Sequence, residues 1–110
     1  MKNFPDDDDG NVLQNLQNKG VDLNIPREIE FYCYAKNQEV ALNISEAVNS
    51  IGYKTDVYFD DEISESSKQY SVYCAKNMVP TYHDIVNSQI ELNQLLKGFD
   101  TKCDGWGTLS

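Results

Sequence analysis

The chain has 110 residues, enough for one domain that buries roughly two thirds of the surface its unfolded form exposes, so it needs neither a disulfide nor a metal to fold. Eighteen acidic against nine basic residues give a formal net charge of -9, which repels nucleic-acid phosphates and favours basic protein partners. Direct nucleic-acid binding is therefore not expected.

Four carboxylates, Asp6, Asp7, Asp8 and Asp9, stand before Gly10 and an apolar-periodic run of Val12, Leu13 and Leu16. Aspartates there cap the first free amides and lie at the positive end of the helix dipole, so the run predicts a helix that ends near Gly20. The same acidic run occupies the place where a signal peptide needs an apolar stretch, and no segment approaches the ~18 apolar residues of a membrane span. A cytoplasmic protein with no membrane contact is the expectation. A calcium loop fails as a reading: with Gly10 as the invariant glycine, the first ligand position falls on Pro5 and the twelfth on Leu16.

Residues 21–26 form an extended linker, because Pro26 keeps its predecessor out of the helical region. In residues 28–35, Ile29, Phe31, Cys33 and Ala35 alternate with Glu30, Tyr32 and Tyr34, the period of a central strand with one core face and one aromatic face. Asn37 is the next N-cap, and Val40, Ala41, Ile44, Ala47, Val48 and Ile51 recur at helical spacing up to Gly52. A second strand follows with Tyr53, Thr55, Val57 and Phe59 on one face and Lys54, Asp56, Tyr58 and Asp60 on the other. After an acidic loop over 60–67, residues 69–76 predict a third strand. Thr81 then opens the longest helix, with Asp84 completing a variant capping box and Ile85, Val86, Ile90, Leu92, Leu95 and Leu96 as its apolar stripe. Phe99, Thr101 and Cys103 alternate and predict a short edge strand over 99–103, after which Asp104, Gly105, Trp106 and Gly107 close the chain as a turn around a large indole.

This order predicts an α+β fold, a ferredoxin-like split βαβ sandwich with an additional N-terminal helix. Both long helices would cover one sheet face, leaving Tyr32, Tyr34, Tyr58 and Tyr73 on the other. A bare aromatic face is costly or functional, so the N-terminal helix is expected at least partly over it, with a second copy of the chain, a homodimer, as the next candidate cover.

Little in the sequence carries chemistry. The three cysteines are odd in number, widely spaced and without the ligands of a zinc site, so they read as reduced, buried small hydrophobes. His83 beside a cysteine would make a nucleophile and base pair, but it lies in the first turn of a predicted helix and no phosphate loop or nucleophile elbow accompanies it. The expectation is no enzyme, no metal and no cofactor. The tyrosine face is similar to the stacking platform of an RNA-recognition motif, yet the basic-aromatic pattern that such a motif carries is missing from the third strand. Trp106 is either a core plug or an anchor for a partner.

Four stretches combine into a more specific pattern: Phe4-Pro5-Asp6-Asp7-Asp8-Asp9-Gly10, Pro26-Arg27-Glu28-Ile29-Glu30-Phe31-Tyr32, Lys76-Asn77-Met78-Val79-Pro80-Thr81 and Asp104-Gly105-Trp106-Gly107. In this order they resemble the RraB family, regulator of ribonuclease activity B. The resemblance implies a single domain, with an N-terminal helix and linker over 1–26, a ferredoxin-like core over 27–103 and a C-terminal segment over 104–110. It also implies a protein that binds ribonuclease E and reduces RNA cleavage without being an enzyme. The better-known inhibitors continue past Asp-Gly-Trp-Gly in a long acidic tail; the sequence here stops at Ser110, so any contribution of that tail to the contact is expected to be absent.

The partner-binding residues are expected in three motifs that combine turn formers with side chains a loop does not need: Asp6, Asp7, Asp8, Asp9 and Gly10; Met78, Val79, Pro80 and Thr81; Asp104, Gly105, Trp106 and Gly107. They are expected to meet, with Trp106 near Met78 and Pro80, either as a partner surface or as a latch holding both termini. Two other functions compete with a ribonuclease regulator. One is an acidic adaptor or immunity-like protein for another basic partner; the other is a ligand- or RNA-binding module that uses the tyrosine face.

Overall fold

Each helix starts where a short polar side chain replaces a missing backbone partner. In the computed structural model, which describes residues 4–108, Asp7 caps α1 (Asp8–Asn18), Asn37 caps α2 (Gln38–Ser50) and Thr81 caps α3 (Tyr82–Leu96), each accepting from the amide three residues on. The capping box at Thr81 is half made: its hydroxyl accepts from the Asp84 amide at 3.0 Å, while its own amide donates to the Val79 carbonyl at 2.8 Å. Residues 1–3 and 109–110 of the expected terminal segments lie outside the described residues.

Strands β1 (Arg27–Ala35), β2 (Lys54–Phe59), β3 (Tyr70–Met78) and β4 (Gly105–Thr108) form one antiparallel sheet in the order β2-β3-β1-β4. Strand β3 lies between β1 and β2, and β1 between β3 and β4, so the two βαβ units interleave in a ferredoxin-like α+β sandwich. The pleat divides β1 as its composition requires: Ile29, Phe31, Cys33 and Ala35 are buried with Val72 and Cys74 of β3 under Ile44, Val48, Ile85, Leu92 and Leu96 of the helices. At the edge, Phe59 is opposite Tyr70 with ring centroids 4.7 Å apart, yet stays 55% exposed at the end of its strand.

Two expectations change. The fourth strand is Gly105–Thr108 rather than residues 99–103. Residues Lys97–Phe99 continue α3 as a 3-10 turn, and Asp100 turns the chain in the left-handed region at φ 58°. The stretch from Thr101 to Asp104 reaches β1 only at separate points, the Thr101 hydroxyl on the Tyr34 carbonyl and the Asp104 amide on the Tyr32 carbonyl, so regular pairing starts at Gly105.

The second correction concerns α1. It packs beside α3 in the helix layer, with Leu13 fully buried in the common core, and does not lie over the tyrosines. Its buried Leu13 joins the common core, and Asp9 on the same helix reaches Trp106 of β4. Tyr32, Tyr34, Tyr58 and Tyr73 do share the opposite face; among the described residues none of the three α-helices covers them, and only the short 3-10 turn Ser66–Lys68 borders Tyr34.

Candidate functional site

The acidic run and the C-terminal motif meet through one carboxylate. The Asp9 Oδ1 accepts from the Trp106 indole Nε1 at 2.9 Å and from the Gln89 amide of α3 at 3.0 Å, which ties α1, α3 and β4 together. Trp106 is opposite Phe31 and therefore turns to the helix side of the sheet, where it is only 9% exposed. Asp7 adds a second tie: one oxygen caps α1 at the Gly10 amide, 2.8 Å away, and the other accepts from the Tyr82 hydroxyl at the start of α3. These two donors hold the Asp7 carboxyl below its ordinary range, the Tyr82 hydroxyl contributing most, and the same contact pushes the Tyr82 phenol up.

The glycines of both motifs are explained by close approach. A Cβ at Gly10 would lie 1.8 Å from the Pro5 carbonyl oxygen, because the chain before the helix folds back over its first turn. A Cβ at Gly105 would lie 2.4 Å from the Tyr32 hydroxyl, because the Tyr32 ring leans across β4 on the open face. Motif Asp104-Gly105-Trp106-Gly107 thus serves both faces at once, with Gly105 lying under a tyrosine and Trp106 anchoring the helix layer.

The middle motif stands apart from Trp106. Met78 is opposite Arg27, four positions along β1 from the Phe31 that faces Trp106, and β1 itself separates β3 from β4. Met78 instead accepts a weak contact from the Ser88 hydroxyl at 3.9 Å. Pro80 is fully buried and Thr81 caps α3, and the residue after the cap, Tyr82, carries the hydrogen bond to the acidic run. A depression of about 400 Å³ does open where Asp8, Asp9 and Val12 of α1 face Tyr32, Gly105 and Trp106. Asp6, Asp7 and Asp8 stay exposed at its rim and beyond, as does Asp104.

Cys33 and Cys74 are free and buried, and burial pushes the Cys33 thiol up to about 12 and Cys74 higher still; Cys103 is likewise raised to about 12, chiefly by burial. His83 is exposed on α3 and contacts the Asn87 amide at 2.9 Å. Among the described residues no three His, Cys, Asp or Glu side chains converge as metal ligands, and no helix is long and apolar enough to cross a membrane.

What the three expected partner-binding motifs do not contain is the aromatic row on the open face. Tyr32 and Tyr73 are opposite one another and stack at 5.7 Å, Tyr58 meets Tyr73 edge-on at 5.3 Å, and Tyr34 meets Tyr32 edge-on at 6.3 Å. Strand alternation alone marks these four: Tyr32, Tyr34 and Tyr73 each lie between two buried residues, and Tyr58 follows the half-buried Val57.

Fold and site together define a small ferredoxin-like domain with latched termini and an open, aromatic sheet face, the form of a binding or regulatory module. The family model for regulator of ribonuclease activity B, RraB, matches residues 6–108, and the chain belongs to that family. The matched span runs through both partners of the latch, Asp9 and Trp106. The family is one of regulators of ribonuclease activity. A search of curated proteins returned no match.

Proposed function

We propose that this chain is a non-enzymatic, cytoplasmic regulator that lowers the activity of ribonuclease E, or of a related RNA-processing assembly, by direct protein contact. The observation that carries the reading is the family match over residues 6–108, which coincides with the folded unit described above. Electrostatics agree with it: a net charge of -9 draws in basic protein segments and repels the RNA substrate, so the contact is with the enzyme. Burial raises the thiols of Cys33, Cys74 and Cys103, which keeps them from acting as nucleophiles. Of the expected binding residues, Asp7, Asp9, Gly10, Pro80, Thr81, Gly105 and Trp106 act first as structure, which leaves exposed Asp6, Asp8 and Asp104 free to contact a partner.

The test is a cleavage assay with purified ribonuclease E and an RNA substrate, to which the chain is added in increasing amounts. Cleavage should fall and level off at a fixed ratio of the two proteins, and the chain alone should leave the RNA intact. An unchanged rate, together with no co-purification of the two proteins, would overturn the reading.

A further inference from the structure

The open sheet face holds side chains that neither the core nor the latch uses. The register sets Tyr73 and Tyr32 side by side at its centre, with Asp56 flanking Tyr73 on β2 and Gly105 flanking Tyr32 on β4. Glu30 lies in the neighbouring cross-strand row, next to Ala75, and Glu28 beyond it opposite Asn77. Asp104 borders the Tyr32 ring through the loop that leads into β4. Tyr58, on the edge strand, is 56% exposed.

Two observations say what such a face attracts. Among the described residues the ion pair is Lys68 with Glu65 at 3.7 Å, so Glu28, Glu30, Asp56 and Asp104 bring four carboxylates to the aromatic row without a cation bound to any of them. A cation is nevertheless seated on the row: the Lys68 ammonium lies 5.7 Å from the centroid of the Tyr34 ring. Ring faces are electron-rich and take cations, and an unpaired carboxylate beside a ring holds the same cation from the side. A guanidinium suits this arrangement better than an ammonium. It is planar and weakly hydrated on its faces, so it stacks on tyrosine while its edge forks onto a carboxylate.

We propose that the open sheet face is a docking surface for an arginine-bearing segment of a protein partner, its guanidinium groups stacked on Tyr58, Tyr73 and Tyr32 and held by Asp56 and Glu30. This rests on the reading above that the regulated contact is with a protein. Single-stranded RNA would stack on the same rings, but around the Tyr32–Tyr73 pair its phosphates would meet Glu30, Asp56 and Asp104, while Lys36, Lys68 and Lys102 gather at the Tyr34 end of the row and Lys54 lies on the edge strand. A second copy of the chain would bring the same carboxylates against each other.

The experiment uses the full chain and three probes: a soluble peptide of alternating arginine and glycine, its lysine counterpart of equal length and charge, and a short oligouridylate. Binding is measured by calorimetry and mapped by tyrosine ring resonances. The arginine peptide should bind about fivefold or more tighter than the lysine peptide and shift the rings of Tyr58, Tyr73 and Tyr32. Tyr58→Leu should weaken it about fivefold, and so should Asp56→Asn, which removes a charge without touching the packing. Neutralising Asp60, Asp61 and Glu62 in the neighbouring loop should cost much less.

Equal affinity for the two peptides, or a larger loss from the loop variant than from Asp56→Asn, would reduce the effect to diffuse charge attraction and overturn the proposal. So would tighter binding of the oligouridylate, or a chain dimer that Tyr58→Leu dissolves. No step needs the ribonuclease, so the two readings fail separately. Inhibition of ribonuclease E without peptide binding places the contact elsewhere; peptide binding without inhibition changes the partner and keeps the surface.

Discussion

The indole Nε1 of Trp106 donates to the carboxylate of Asp9 at 2.9 Å, joining residues 97 positions apart and closing the helix layer onto the last strand. Gln89 donates to the same oxygen at 3.0 Å, so Asp9 is the point at which α1, α3 and β4 are held. Truncating the buried indole in Trp106→Ala should cost about 3–5 kcal/mol. Asp9→Ala leaves two donors without an acceptor and should cost about 1–3 kcal/mol. The double variant should cost less than the sum, since each change removes the other's partner; urea unfolding of the four proteins measures that coupling. Additive costs would mean that the latch contributes nothing as a pair.

Gly10 and Gly105 should respond differently to alanine although both are crowded. At Gly105 the obstacle is the far end of the Tyr32 side chain, which can swing away, so Gly105→Ala should cost about 1 kcal/mol and show itself chiefly as loss of the Tyr32–Tyr73 stack in ring resonances. At Gly10 the obstacle is the Pro5 backbone carbonyl, 1.8 Å away, and no rotamer relieves it. Gly10→Ala should therefore open the turn before α1 and expose residues 4–7 to proteolysis ahead of the rest of the chain.

Asp7 gives the stability a defined dependence on pH. Its folded carboxyl titrates below the unfolded one because the Tyr82 hydroxyl and the Gly10 amide donate to the charged form. The contribution is thus complete above the unfolded value, about 4, and is lost as pH falls through the folded one. Tyr82 has the opposite sign: its folded phenol is raised, so its share is complete below about 10 and is lost as pH rises through the folded value. Asp7→Ala should lower the melting temperature at neutral pH, and the gap to the parent chain should close in acid. A variant as stable as the parent at neutral pH would show the carboxylate to be free for a partner.

The cysteines should be slow. Burial pushes Cys33 and Cys103 up to about 12, so little thiolate is present at neutral pH. Modification by an aromatic disulfide reagent should proceed for none of the three at an appreciable rate until denaturant is added, and then for all. One fast equivalent in the native protein would identify an opened site, and Cys103, the least buried of the three, is the position to check first.

Much of this molecule is set by local chemistry and was legible as such. The caps at Asn37 and Thr81 follow from a short polar side chain ahead of a periodic apolar run, and both faces of β1 follow from alternation, because helix starts and strand faces depend on near neighbours in the chain. Family membership was legible too, from four short motifs in order.

Only the tertiary structure decided where those motifs go. Nothing local distinguishes Asp7 and Asp9 from Asp6 and Asp8; they differ because Tyr82, Gln89 and Trp106 arrive from elsewhere in the fold. The last strand was misplaced for a related reason. Residues 99–103 alternate as a strand would, but pairing is a property of two segments, and β1 offers its free edge to Gly105–Thr108, where Tyr32 needs a glycine beneath it and Trp106 can reach Asp9. Which side α1 takes was equally beyond the sequence: its apolar stripe fits any apolar surface, and the place beside α3 where Leu13 joins the core exists only once the sheet and the other helices are assembled.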